Sequence, residues 1–135
     1  MKKKIAIFTT GWCSEILSQF LSGLRRALEK DHVDLFLFLC YPTYIDSAAN
    51  KRGEMNIFTL PDLSDFDGVV IFGSGLDFRE LIDSLIERSN KAGIPVIMQG
   101  ARRDGVYYVG SDNYAATLEM CTHLHKKIGL EKILV

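Results

Sequence analysis

The sequence predicts a doubly wound α/β domain, in which helices cover both faces of a parallel sheet. Short apolar runs alternate along the chain with longer stretches whose apolar residues recur at helical spacing, which is the pattern of βαβ units. The first apolar run is continuous at its centre, as expected of a strand that is covered on both faces. The 135 residues fit one domain of this kind.

Five segments are predicted as strands, and a sixth begins at the end of the sequence. They are residues 4–8, 33–39, 68–72, 95–98 and 106–109, followed by 132–135. Pro95 at the first position of its strand removes no hydrogen bond from the interior of the ladder. Residues 48–52 are predicted as a short helix, and 57–60 as an apolar segment that enters the core. We expect a three-layer, flavodoxin-like arrangement with strand order 2-1-3-4-5.

Three amphipathic helices are predicted between and after these strands. Ser14 is expected to cap the first, Asp77 the second, and Asp112 or Ser111 the third, because their side-chain oxygens can accept from free backbone amides. Gly93 is expected to end the second helix in a left-handed conformation. The apolar stripes are Ile16, Leu17, Phe20, Leu21, Leu24, Ala27 and Leu28 in the first helix, Phe78, Leu81, Ile82, Leu85 and Ile86 in the second, and Tyr114, Leu118, Cys121, Leu124 and Ile128 in the third.

The composition argues against several classes of partner. A net charge of −1 gives no general attraction to nucleic acid, and the basic run 2–4 is interpreted as a solubilising N-terminus. No apolar stretch approaches the roughly 20 residues of a membrane span, and the run 5–8 is shorter than the core of about 7–15 residues in a signal peptide. Three cysteines without a Cys-x-x-Cys pair suit a reducing compartment. We therefore expect a cytoplasmic protein with no membrane partner, in which this domain itself does not bind nucleic acid.

The strand order also predicts where a ligand binds. In an open α/β sheet, ligands lie beyond the carboxyl ends of the strands, where the strand order reverses. With the first strand central, the loops 9–14, 73–77 and 99–104 line this crevice, and residues 40–41 form a fourth wall. The side chains expected to contact a ligand are Thr10, Trp12, Cys13, Tyr41, Ser74 and Arg102.

Each of these contacts has an alternative interpretation. Trp12 offers a flat apolar face to a ligand, or packs over the sheet edge or a subunit contact. Arg102 and Arg103 follow the fourth strand, and one of them can reach a carboxylate or phosphate; alternatively, they lie in a solvated loop with Asp104 as a local partner. The run 73–75 is a glycine-rich turn, but it lacks the third glycine of a dinucleotide fingerprint, since position 78 is phenylalanine. Cys13 near a helix N-terminus is either a reactive thiol or an ordinary cysteine.

We predict no catalytic residue, no metal site and no cofactor. His123 and His125 are two positions apart on a helix and point to different faces, so they cannot share a metal ion. Two alternatives stay open: a flavodoxin-like FMN protein that uses 9–14 as a phosphate loop, and a phosphocarrier with a phosphorylated Cys13. An FMN protein would be yellow, and a phosphocarrier would lose its function with Cys13→Ser.

Several segments resemble the sensor domains of the lac-repressor type. Residues 109–113 followed by a helix containing His123-Leu124 are similar to the “V-G-x-D-N … H-L” stretch of that family. Residues 66–71 are similar to its “V-D-G-I-I” strand, and 93–97 to its “G-I-P-V-V” strand. The order and the spacing of these motifs hold over essentially the whole chain.

The resemblance implies the first lobe of a two-lobed sensor of the type 1 periplasmic-binding-protein kind, in which a small molecule closes the lobes about a hinge. Residues 1–135 then form a single lobe without the second, and Asn113 joins the ligand-binding residues. The lobe is expected to form a homodimer through its helices and to serve a transcriptional or signalling regulator, whose output module can be an enzyme such as a diguanylate cyclase. The resemblance implies a sugar-like effector. Gly100 and Ala101 stand where sugar-binding members carry Asp-Arg, and this departure favours another polar metabolite instead.

Overall fold

The computed structural model describes residues 2–11, 15–41, 47–73 and 79–129. Within these residues, five strands form one parallel sheet in the order β2-β1-β3-β4-β5. The strands are β1 (Lys4–Thr10), β2 (Asp34–Cys40), β3 (Gly68–Phe72), β4 (Val96–Gln99) and β5 (Tyr107–Val109). The predicted fold class and strand order are confirmed.

The described helices follow the predicted sequence of elements. They are α1 (Glu15–Leu28), α2 (Ala48–Met55), α3 (Arg79–Lys91) and α4 (Asn113–Ile128), with short 3-10 helices at Asn56–Phe58 and Leu63–Asp65. Strand β1 ends two residues later than predicted, because Thr9 and Thr10 still pair with β2. Strands β2 and β4 begin and end one residue later than predicted, and β5 begins one residue later. The predicted caps Ser14 and Asp77 and the predicted strand 132–135 lie outside the described residues. Among the helices described, none combines the length and the apolar character needed to cross a membrane.

Strand β1 lies at the centre of the sheet. It pairs with β2 along its whole length and with β3 from Ile5 to Phe8. Residues 6–9 are fully buried, with 0% of their surface exposed. Because neighbouring strands cover both edges of β1 and helices cover both of its faces, its central residues meet almost no water, and this explains the continuous apolar run.

One face of the sheet carries the main core. Alternate residues of β1, β3 and β4 point to this face and meet side chains from α3 and from the two 3-10 helices. Its buried members are Ala6, Phe8, Cys40, Phe58, Leu63, Val69, Ile71, Ile82, Leu85, Ile86, Val96 and Met98. The ring of Phe8 stacks on Phe38 with centroids 5.0 Å apart and meets Phe58 edge-on at 5.3 Å. The apolar segment predicted at 57–60 therefore does enter the core, through Phe58.

The opposite face is covered only in part. Helix α1 lies against it, with Phe20 in contact with Phe72 at a centroid distance of 5.1 Å. Toward the edge of the sheet the same face is open, since Ile97, Tyr107 and Val109 are 39%, 69% and 54% exposed. Right-handed crossovers account for the difference, because they place α1 on one face and α2 and α3 on the other.

Helix α4 is well capped, but its apolar stripe is only partly covered, since Cys121 and Leu124 are half-buried and the rest of the stripe is exposed. Asp112 Oδ1 accepts a hydrogen bond from the Ala115 amide at 3.0 Å, and Gly129 ends the helix with a left-handed φ of 72°. Within the described residues, none of the side chains of α4 is buried, although the predicted apolar stripe is present. Tyr114 is 80% exposed and Leu118 is 55% exposed. Local capping therefore specifies this helix, and its apolar stripe is left mostly open.

Arg88 joins α3 to the segment that contains the 3-10 helices. Its guanidinium donates to the carbonyl oxygen of Phe58 at 2.9 Å and to that of Pro61 at 2.6 Å. A short 3-10 helix leaves such carbonyls without an internal partner, so a charged donor stabilises them. Arg88 thereby holds Phe58 in the core.

Replacing Arg88 by alanine is expected to lower the free energy of unfolding by about 2 kcal/mol, because hydrogen bonds from charged groups each contribute roughly 1.5–3 kcal/mol. Lys91→Ala is the matched control, since it removes only an exposed ion pair with Glu87, and we expect it to cost less than about 1 kcal/mol. Urea denaturation at pH 7 measures both. Equal losses in the two variants would show that Arg88 does not anchor the segment.

Candidate functional site

The strand order reverses between β1 and β3, and glycines end both strands. Gly11 has a φ of 70° and donates its amide to the Cys40 carbonyl at 3.0 Å. Gly73 donates its amide to the Gln99 carbonyl at 2.9 Å, and a Cβ on Gly73 would lie 2.8 Å from that oxygen. A side chain is therefore excluded at Gly73 by close contact and disfavoured at Gly11 by the left-handed backbone. The rim of the crevice is formed here by backbone.

Two predicted site residues, Thr10 and Tyr41, lie together on one side of this rim. Thr10 is paired with Cys40 in the sheet, and Tyr41 is the next residue along the chain. The amide of Tyr41 donates to Glu54 Oε2 of α2 at 3.2 Å. Both residues are half-buried. The pairing of β1 with β2 thus presents a hydroxyl and a phenol at the carboxyl ends of adjacent strands.

Arg102 lies on the other side, in the connection from β4 to β5. Its guanidinium carbon is 4.8 Å from the centroid of the Tyr108 ring, which is a cation–π contact. The two residues line an open pocket of about 620 Å³ together with Arg103 and Asp104. Arg103 Nε is in turn 3.8 Å from Asp83 Oδ1 on α3. The pocket therefore presents one guanidinium oriented by an aromatic ring and a second oriented by a carboxylate.

The predicted residues form two groups rather than one cluster. Neighbouring strands are about 4.8 Å apart, so β1 and β5 are separated by roughly 14 Å. Thr10 and Tyr41 belong to the first group. Arg102 belongs to the second, together with Asn113, an exposed residue that begins α4 directly after the β5 side of the rim. Trp12, Cys13 and Ser74 lie outside the described residues.

Sequence reasoning missed Tyr108. Tyr108 was assigned only to a strand, but the alternation of side chains along β5 separates it from its exposed neighbours Tyr107 and Val109. That alternation was the available signal, although the sequence did not indicate which face meets Arg102. In the part of the chain that the structure describes, no three His, Cys, Asp or Glu side chains come close enough to hold a metal ion.

Cys40 is the buried thiol beneath this rim. Burial, and secondarily the negative charge of Glu54, raise the pKa of Cys40 to about 11. The folded protein therefore holds this proton more tightly than the unfolded chain, in which the thiol has its ordinary pKa of 9.0. The corresponding stabilisation is fully present below pH 9 and is lost as the pH rises through 11. Cys40 accordingly acts as a core side chain rather than a nucleophile.

Removing this thiol is expected to flatten the alkaline decline in stability. Between pH 8 and 11, the parent should lose on the order of 2 kcal/mol more unfolding free energy than Cys40→Ala, because one pKa unit corresponds to about 1.4 kcal/mol. The measurement is urea denaturation in reducing buffer, with Cys121→Ala as the control at a partly exposed thiol. If the Cys40→Ala curve runs parallel to that of the parent, the thiol proton is not held by the fold.

Solved structures share this fold, whereas no model of a known protein family and no curated protein matches the sequence. A glucose-galactose binding protein from Geobacillus stearothermophilus superposes with a TM-score of 0.67 at 18% identity, over 96% of this chain and 44% of its own. A subunit of an ABC sugar transporter from Rhodobacter sphaeroides gives a TM-score of 0.66 at 15% identity, over 94% of this chain and 42% of its own.

The chain thus spans less than half the length of either structure. It has the parallel α/β fold of type 1 periplasmic-binding proteins, and the extent of the match is consistent with their N-terminal lobe. The resemblance seen in the sequence motifs is confirmed at the level of the fold.

Proposed function

We propose that this chain is a ligand-sensing lobe of a cytoplasmic regulator and that it binds a polar small molecule at the carboxyl ends of its strands. The observation that carries the proposal is the fold shared over 96% of the chain with a structure described as a glucose-galactose binding protein. Sheets with this strand order hold ligands at the same end. The regulatory role, transcriptional or signalling, is supported by the resemblance of 93–97 and 109–113 to lac-repressor-type sensors.

We infer that residues 1–135 supply one lobe and that a second lobe closes the crevice. The two groups of site residues are roughly 14 Å apart by strand spacing, with a glycine rim between them. Such an arrangement contacts a ligand on one side and leaves the other side of the ligand exposed to solvent. A small-molecule site normally buries most of its ligand, so a second wall is needed for tight binding.

The side chains on the β5 side favour an effector with an acidic group. Arg102 is held against Tyr108 and keeps its N–H groups available for a planar acceptor such as a carboxylate or a phosphate. Gly100 and Ala101 bring no polar side chain to the loop. Thr10 and Tyr41 can meet hydroxyl groups on the other side. A sugar-like or other polar metabolite that carries an acidic group matches this distribution.

A binding screen tests the proposal directly. Trp12, the single tryptophan, follows Gly11 at the rim in sequence, so its fluorescence should report a bound ligand. Sugars, sugar acids, nucleobases and small carboxylates are compared by fluorescence titration and by thermal shift. A specific ligand at one hundred times its Kd stabilises the fold by about 2.7 kcal/mol. The absence of any response across the panel would favour a scaffolding role, and a yellow protein with flavin absorbance would contradict the sensor assignment.

Arg102→Ala is expected to weaken binding of an acidic effector about tenfold, equivalent to ~1.4 kcal/mol, because a charge-assisted hydrogen bond is lost. Arg26→Ala removes another exposed arginine, on α1, and should leave the affinity unchanged. Isothermal titration at low ionic strength gives both values. An unchanged affinity of the Arg102→Ala variant would show that Arg102 does not contact the ligand.

We also propose that the lobe forms a homodimer. Large apolar side chains are exposed both at the edge of the sheet and along α4, including Tyr107, Tyr114 and Leu118. Exposed apolar patches of this kind commonly mark protein–protein contacts.

A further inference from the structure

A groove crosses the open part of the sheet face that carries α1. Its volume is about 560 Å³, and its apolar lining includes Ile5, Leu28, Val70, Pro95, Ile97 and Tyr107. We call this surface the bare face. Parallel sheets are normally covered on both faces, and the right-handed crossovers of this chain place α2 and α3 on the other side. A helix laid beside α1 would complete the layer.

Helix α4 has the length and the exposed apolar stripe needed to cover the bare face. It contains 16 residues, which corresponds to roughly 24 Å at 1.5 Å per residue. Strands β4 and β5, over which the face is open, contain four and three residues and extend over about 13 and 10 Å, so the helix is long enough to cross the open part. Its stripe carries Tyr114, Leu118 and Ile128, which are 80%, 55% and 58% exposed. An open apolar stripe and an open apolar sheet face therefore occur in the same chain.

Charge complementarity favours one orientation. Lys3, Asp31 and Asp67 border the bare face at the amino ends of the strands and give it an acidic balance. The last turn of α4 is basic, with His125, Lys126 and Lys127. A helix that runs antiparallel to the strands, as α1 does, would place this basic turn beside the two aspartates.

We propose that α4 of one chain packs on the bare face of a second copy of this chain, and that the second copy returns the same contact. This reciprocal arrangement closes into a twofold dimer. Two equivalent contacts form, so the α4 stripe and the bare face of each chain are both covered. The residues 110–112 start α4 at the edge of its own sheet, beside β5. The inference names the surfaces of the proposed homodimer and is independent of ligand binding.

Disulfide trapping tests the contact. Cys121 lies on the α4 stripe, and in the proposed orientation the second half of α4 lies over the first residues of β4 and β5. Ile97→Cys is therefore expected to form an interchain disulfide with Cys121 under mild oxidation. The product is a dimer at twice the 15.2 kDa mass of the chain. Ile16→Cys, at an exposed apolar position of α1, is the matched control and should give no such link to Cys121.

Peptide mapping of the linked species makes the outcome decisive. A 97–121 disulfide at dimer mass supports exchange between copies. The same disulfide at monomer mass, or no 97–121 link at all, overturns the proposal, because α4 would then fold back on its own sheet or cover another surface.

Light scattering on the unlinked variants gives a second measurement. Leu118→Arg and Ile97→Arg should each shift the chain toward monomer, with circular dichroism used to verify the fold, whereas Ile16→Arg should remain dimeric. Mixing the two monomeric variants should restore part of the dimer, because one intact helix then meets one intact bare face. No restoration would contradict the reciprocal contact. A dimer that binds no ligand would contradict only the sensing role. A monomer that binds ligand would contradict only the proposed dimer.

Discussion

Strand β1 is hydrogen-bonded to a parallel strand on each side, and this double pairing determines the layout of the molecule. The sheet grows outward from β1 in both directions, so the connections before and after it leave on opposite faces. The strand order consequently reverses between β1 and β3, and a crevice opens above their carboxyl ends. Gly11 and Gly73 keep side chains out of this point, and the polar side chains lie to either side of it.

The same topology explains why the two faces of the sheet differ. The face that receives α2 and α3 has a continuous core, in which Phe8 and Phe58 meet edge-on. The face that receives α1 is covered over β1 and β3 and open over β4 and β5, where Ile97 and Tyr107 are exposed. An apolar face left open in this way commonly marks a site of association, and we propose that the open stripe of α4 from a second copy covers it. Sensing and association would thus use different parts of the sheet.

Much of this could be predicted from the sequence, because strand runs, helical stripes and caps are local signals. The strand order followed from the alternation of elements, and Asp112 was identified correctly as one of two candidate caps of α4. The packing of α4 could not be predicted, since an amphipathic stripe does not say which surface covers it. The contact of Arg102 with the Tyr108 ring could not be predicted either, because it depends on the path of the loop from β4 to β5.

We propose that the ligand binds where the strand order reverses, and amide chemical-shift mapping is the sharpest test of this location. At 15.2 kDa the chain suits two-dimensional nitrogen–proton spectra recorded during titration with an effector. We expect the largest shifts at Gly11, Tyr41 and Gly73, at the carboxyl ends of the strands. The amides of Asp67 and Gly93, at the opposite ends, should remain unchanged. Shifts concentrated at those amino ends would show that the ligand does not bind at the strand-order reversal.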